Sequence, residues 1–217
     1  MKRIITLTCC FLGLMIGLNT QAQNDGKAIA VLQKAAQAYE KAGGVEASFD
    51  LSILDPQQAE HERIQGHIYM KADKFKIEVD DMITWFDGRN QWVYLKGPQE
   101  VNLSEPDADE QLMINPIKIF LLYKHGYTSK NLGNQTFMGK SSAGVQLLPQ
   151  DKYSPLKEIR AYFHPNTGQA LGLELINKDD SKSIISIKSY QTGKNFLDAF
   201  FVFQQKLFPN TQVIDLR

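Results

Sequence analysis

The sequence predicts a mainly β protein: one antiparallel sheet carrying two or so helices. Three observations lead there. After Gly44 the apolar residues recur at every second position, and turn residues punctuate the chain roughly every eight to twelve residues, as a meander requires. The stretch Thr84–Leu103 reads as an aromatic strand, an Asp87-Gly88 turn, a second aromatic strand (Gln91-Trp92-Val93-Tyr94-Leu95), a Gly-Pro turn and a return strand. Asp-Gly between two β-prone runs is a strong hairpin signal, because Gly accepts the positive φ such turns need.

At 217 residues the chain suits one domain with a sizeable core. Lys2-Arg3 followed by apolar Ile4–Leu18 and small residues at Thr20-Gln21-Ala22 reads as a cleavable secretion signal over residues 1–22. Residues 23–217 then form a single exported domain. The apolar run is too short for a confident membrane span. Both cysteines, Cys9 and Cys10, lie in this leader, so the mature chain has no disulfide. Leu7-Thr8-Cys9-Cys10 superficially resembles a lipidation signal, but the apolar stretch ahead of the Cys is too short for one. Charge is balanced, with 24 basic and 24 acidic residues, which argues against a nucleic-acid partner.

In the mature chain, Ile29, Leu32, Ala36 and Tyr39 recur at helical spacing from Lys27 to Lys41, and Gly43-Gly44 closes the helix. Val45, Ala47, Phe49, Leu51 and Ile53 then alternate with polar residues as a half-buried strand. A second run carries Ile64, Gly66, Ile68 and Met70, and Ala72-Asp73 turns it into a third strand with Phe75, Ile77 and Val79. Asn115-Pro116 opens a short apolar helix through Ile117, Phe120, Leu121 and Tyr123, with Asn as cap and Pro at the first helical position. A greasy helix between strands either plugs or caps a barrel. Further strands are expected at 144–148, 158–164, 170–177, 184–190 and 200–204, with turns at Asn166-Thr167-Gly168 and Asp179-Asp180-Ser181.

Catalytic patterns are missing from the sequence. Gly139-Lys140-Ser141 lacks a correctly spaced upstream glycine and a following helix, so it is not a phosphate loop. There is no Gly-x-Ser-x-Gly elbow and no mature thiol. His61 and His67, six residues apart on one strand, stand about 20 Å apart, too far to share a metal. Asp107, Asp109 and Glu110 read as a solvated acidic loop, and Asp80-Asp81 point to opposite faces. No enzyme, cofactor or metal is expected. The unusual feature is apolar surface: Trp85, Phe86, Trp92, Tyr94, Phe120, Tyr123, Phe196, Phe200, Phe201 and Phe203 all need covering. In Phe200-Phe201-Val202-Phe203, read as a strand, both faces are apolar, so one must meet a helix, a ligand or a partner.

The order of these features resembles the periplasmic outer-membrane lipoprotein carriers, the LolA-like family. The matching residues are the Gly66-x-Ile68-Tyr69-x-Lys71 strand, Lys74-Phe75-Lys76-Ile77-Glu78, Phe86-Asp87-Gly88 with Gln91-Trp92-Val93-Tyr94, and Gln99-Glu100-Val101. Asn115-Pro116, Phe201-x-Phe203 and Pro209-x-x-x-Val213-Ile214-Asp215 follow in order. The resemblance implies an incomplete, strongly curved antiparallel β-barrel, with helices forming a lid over a hydrophobic cavity. It also implies a periplasmic chaperone that shields lipoprotein acyl chains and ferries them from an inner-membrane release complex to an outer-membrane acceptor; a monomer is expected. Phe49, Leu51, Ile68, Phe75, Trp85, Trp92, Tyr94 and Phe201 are expected near the cavity, and Ile117, Phe120 and Leu121 on the lid; the inward face of each strand is assigned by parity. One departure stands out. The family's strand usually continues from its Lys into Arg-Pro, the Arg latching the lid by hydrogen bonds, whereas this chain has Ala72-Asp73. A carrier or sensor of another amphiphile, such as a glycolipid, is the alternative on the same fold. A hydrolase would need an acid–base pair that the sequence does not display.

Overall fold

The computed structural model describes residues 24–107, 110–111 and 115–217. The expected leader, with Cys9 and Cys10, and Asp109 of the acidic loop lie outside these. Helix α1 (Gly26–Lys41) starts at Asp25, whose side chain accepts from the Lys27 backbone N–H. Twelve strands follow: β1 (Val45–Leu54), β2 (Glu60–Lys71), β3 (Lys74–Val79), β4 (Met82–Phe86), β5 (Gln91–Leu95), β6 (Glu100–Ser104), β7 (Tyr127–Phe137), β8 (Lys140–Pro149), β9 (Leu156–Phe163), β10 (Ala170–Asn177), β11 (Lys182–Thr192) and β12 (Gln212–Asp215). Short 3₁₀ helices occupy Lys118–Lys124, Asp198–Phe201 and Gln205–Leu207.

All twelve strands form one sheet in the order β12-β6-β5-β4-β3-β2-β1-β11-β10-β9-β8-β7. It does not close, so the architecture is the incomplete curved β-barrel that the sequence suggests. Every pairing is antiparallel except β12 with β6, which runs parallel because the chain crosses the sheet before adding its last strand. On the β7 edge, Asn24 and Asp25 satisfy backbone groups that would otherwise be open. The Asp25 N–H donates to the Ser129 carbonyl at 2.9 Å, and the Asp25 carboxylate accepts from the Asn131 N–H at 3.0 Å.

The pleat sorts side chains into two apolar layers. Inside, Ala28, Leu32 and Ala35 of α1 meet Phe120 and Leu122 of the 118–124 segment and Val145, Leu147, Ile159 and Phe163 of β8–β9. Beside them Ala42, Val45, Ala47, Ile68, Met70, Phe75 and Phe86 form a second inner cluster. Outside, Trp85, Tyr94 and Val101 are covered by Phe203 and Phe208 from the C-terminal segment.

Two sequence expectations need correction here. Residues 200–204 are not a strand: Asp198–Phe201 is a 3₁₀ helix lying on the outer face of the sheet. Its aromatic rings pack on the sheet through side chains, Phe200 meeting Tyr69 edge-on at 5.2 Å and Phe201 being fully buried. The helix opened by Asn115-Pro116 is a 3₁₀ helix, Lys118–Lys124, that begins two residues later than expected. Its N-cap is Ile117, with no side-chain cap, so Asn115 and Pro116 precede the helix, and the Asn115 side chain instead accepts from the Ile117 N–H at 3.0 Å in the turn that leads into it.

Candidate functional site

A cavity of about 150 Å³ lies between the inner face of the sheet and its helical cover. The walls follow from sequence period. On α1, Ala35 and Ala38 are small enough to leave a gap beside Tyr39. On the sheet, every second residue faces inward, bringing Ala47 and Phe49 of β1, Ile68 and Met70 of β2, Ile77 of β3, and Ile185 and Ile187 of β11 to one surface. The lid contributes Ile117, Ile119 and Phe120. Two glycines shape the space. A Cβ on Gly66 would lie 2.4 Å from Phe49 Cζ, so the bare backbone lets the Phe49 ring lie across β2. Gly168, at φ +75, lets the β9–β10 turn touch the Lys34 carbonyl of α1, where a Cβ would approach to 2.9 Å.

A second, polar-rimmed cleft of about 450 Å³ adjoins the cavity, with Glu40, Lys71, Asp73 and Lys118 around it. Tyr39, Ile117 and Phe120 line both spaces, so these three side chains form the wall between an apolar chamber and a polar-rimmed vestibule. The wall is tied to the β2–β3 turn. The Tyr39 hydroxyl donates to the Ala72 carbonyl at 2.8 Å, and the Asn115 side-chain amide donates to the Asp73 carbonyl at 3.0 Å. Asn115 is 1% exposed, and its two hydrogen bonds satisfy both ends of its amide. Thus at Ala72-Asp73, where the resembling family places Arg-Pro, the turn supplies backbone acceptors and the helical cover supplies donors. Burial pushes the Tyr39 and Tyr190 phenols above their ordinary range, so both stay neutral.

Of the residues singled out by sequence, Phe49, Ile68, Ile117 and Phe120 line the cavity. Leu51 lies on the same strand as Phe49 and two residues on, paired with Ile64 and Ile185. Phe75 is buried beneath the cavity floor, stacked on Phe86 with ring centroids 5.3 Å apart. Leu121 lines the vestibule. Trp85, Trp92 and Tyr94 lie on the other face of the sheet with Phe203 and Phe208, and Phe201 packs against Phe196 and Phe200. The parity argument fails at β4 because Trp85 and Phe86 are both aromatic, and pairing of Phe75 with Phe86 turns Phe86 inward. Sequence reasoning did not single out Ala38, Ile187 or Tyr190; the alternation of Ile185, Ile187 and the Ala-rich stripe of α1 were the available signals.

Among the described residues no group of three or more His, Cys, Asp or Glu could hold a metal ion. The acidic loop has a structural role: the Asp107 carboxylate accepts from the Glu110 N–H at 2.8 Å and the Glu110 carboxylate from the Asp107 N–H at 3.0 Å, a reciprocal capping box.

An open β-sheet whose inner face is roofed by helices over an apolar chamber defines a half-barrel that can hold greasy ligands. The sequence profile described as outer membrane lipoprotein carrier protein LolA matches residues 18–160, well over half of the 217. The chain belongs to that family, and membership supports a carrier-type, lipoprotein-binding role. No curated protein matches the chain. Among solved structures, an uncharacterized conserved protein from Thermus thermophilus shares the fold, with a TM-score of 0.61 at 10% identity over 87% of this chain and 99% of that one. A putative outer membrane lipoprotein-sorting protein domain from Vibrio parahaemolyticus aligns with a TM-score of 0.48 at 12% identity, over 84% and 98%. A LolA superfamily protein from Nitrosomonas europaea aligns with a TM-score of 0.46 at 10% identity, over 81% and 97%.

Proposed function

We propose that this protein is a periplasmic carrier that shields the acyl chains of lipoproteins in the chamber under its lid. The observation that supports this best is the apolar chamber itself, walled by α1, the helical cover and the inner sheet face in a chain of the LolA family. The physical need is large: each exposed methylene costs about 0.8 kcal/mol, so a multiply acylated protein cannot cross water unshielded. Phe49, Ile68 and Phe163 form the chamber's floor and far end, and Ile117 and Phe120 its cover.

At about 150 Å³ the chamber matches the size of an engineered cavity that holds one benzene-sized group. Loading whole acyl chains therefore requires the Tyr39–Ile117–Phe120 wall to swing outward, joining chamber and vestibule. The two side-chain tethers to the β2–β3 turn hold that wall, and lipid contacts replace the buried surface lost when it moves. No nucleotide is needed at the protein itself.

Binding of a fluorescent fatty-acyl probe tests the proposal. The mature protein binds the probe, whereas Ala38→Phe, which fills the chamber with a ring, and Phe120→Asp, which puts a carboxylate in its cover, abolish binding. Retained binding in a folded Ala38→Phe variant would overturn the chamber assignment. Mass spectrometry of lipid copurifying with the protein separates lipoprotein acyl cargo from a glycolipid.

A further inference from the structure

We infer that the Tyr190 hydroxyl recognises the carbonyl of an acyl ester or amide, the tail lying in the apolar chamber and the polar head in the vestibule. The inference rests on the carrier reading and specifies its ligand chemistry. Among the described side chains lining the chamber only Tyr39, Gln169 and Tyr190 are polar. Gln169 lies beside the β9–β10 turn, and the Tyr39 hydroxyl already donates to the Ala72 carbonyl. Among the described residues, no hydrogen bond reaches the Tyr190 hydroxyl. It is an unspent donor on an otherwise apolar wall, and such a group gains most from a ligand that meets it.

Its position fixes which ligand atom it meets. Tyr190 stands on β11 opposite Ala47 of β1 and packs with Tyr39 in the same cluster. Both phenol rings line the chamber and pack against the cluster of Ala42, Val45, Ala47 and Ile68, which sets Tyr190 on the same wall as Tyr39. Tyr39 belongs to the wall shared with the vestibule, where Lys71, Lys118, Glu40 and Asp73 supply polar contacts. The two phenols therefore mark the passage from apolar chamber to polar vestibule. In an acylated amphiphile the ester or amide carbonyl lies at that same passage, between hydrocarbon and head group. A plain hydrocarbon or an alkyl ether has no strong acceptor there and leaves the hydroxyl unmet.

The test uses the mature chain and two glycerol monolipids of equal chain length, one an ester and one an ether, measured by titration calorimetry. Wild type should bind the ester tighter by about five-fold, the ratio expected of one net hydrogen bond. Tyr190→Phe, which keeps the ring, should bind both lipids with the affinity wild type has for the ether. Equal affinity of wild type for the two lipids, or an equal loss for both in the variant, would overturn the inference while leaving the carrier reading in place. Binding of neither lipid by wild type would overturn both. The wild-type ratio decides the question even if the variant does not fold.

Discussion

Phe49 and Gly66 show how closely one residue can depend on the absence of another. The ring lies where a Cβ on Gly66 would stand, 2.4 Å from Cζ. Gly66→Ala forces Phe49 off its rotamer into the chamber, so we expect a loss of about 1–3 kcal/mol in stability together with weaker acyl-probe binding. Unchanged melting and binding would show that the ring has room to move. Tyr39→Phe removes one tether and should cost about 1 kcal/mol at most, since the Ala72 carbonyl can turn to water. The sensitive readout is amide exchange across Lys118–Lys124, which should quicken; protection equal to wild type would mean that the hydroxyl does not restrain the wall. At this scale the sequence is most readable where apolar residues alternate with polar ones, as in β1. It is least readable at Trp85-Phe86, where neighbouring aromatic residues face opposite ways and only the pairing partner decides.

Among elements, the C-terminal segment is the clearest case of competing effects. Lys71 and Lys74 both reach Asp198, at 3.5 and 2.9 Å, which holds its carboxyl below the usual range. Asp198 is 70% exposed, and ion pairs so open to solvent are screened and contribute little. Phe201 is fully buried among Phe196 and Phe200, and truncating such a ring costs about 3–5 kcal/mol. Aromatic burial therefore holds the segment. Asp198→Ala should melt nearly like wild type at any salt concentration, while Phe201→Ala should be strongly destabilised; the reverse ranking in thermal denaturation would contradict this. The same segment reads as a strand in sequence, because an unbroken apolar run has no period and does not reveal whether it pairs by backbone or packs by side chain. Strand β7 escapes a reading by pattern for the opposite reason. Its Lys130-Asn131-Leu132-Gly133-Asn134-Gln135 stretch is polar and bulged, and it is a strand because β8 pairs with it and Asn24–Asp25 cover its edge.

For the whole molecule, the depressed carboxyls predict acid behaviour. Asp25 is lowered chiefly by the Asn131 and Lys27 backbone N–H groups, Asp198 by Lys74, and Asp215 to about 2 by Arg217. A carboxyl lowered in the folded state contributes stability above its unfolded value, and that contribution fades as pH falls through the folded value. Melting temperature should thus be flat from about pH 5 to 8 and fall below about pH 4. A decline already beginning at neutral pH would point to other groups.

On the carrier reading, the open sheet, its roof and the tethered wall act together to exchange greasy cargo with membranes. The most direct measurement is release of native lipoproteins from spheroplasts by the purified mature protein. The carrier reading predicts that lipoproteins appear in the soluble fraction with wild type and stay on the membrane with Ala38→Phe. Folded wild-type protein that leaves every lipoprotein on the membrane would contradict it.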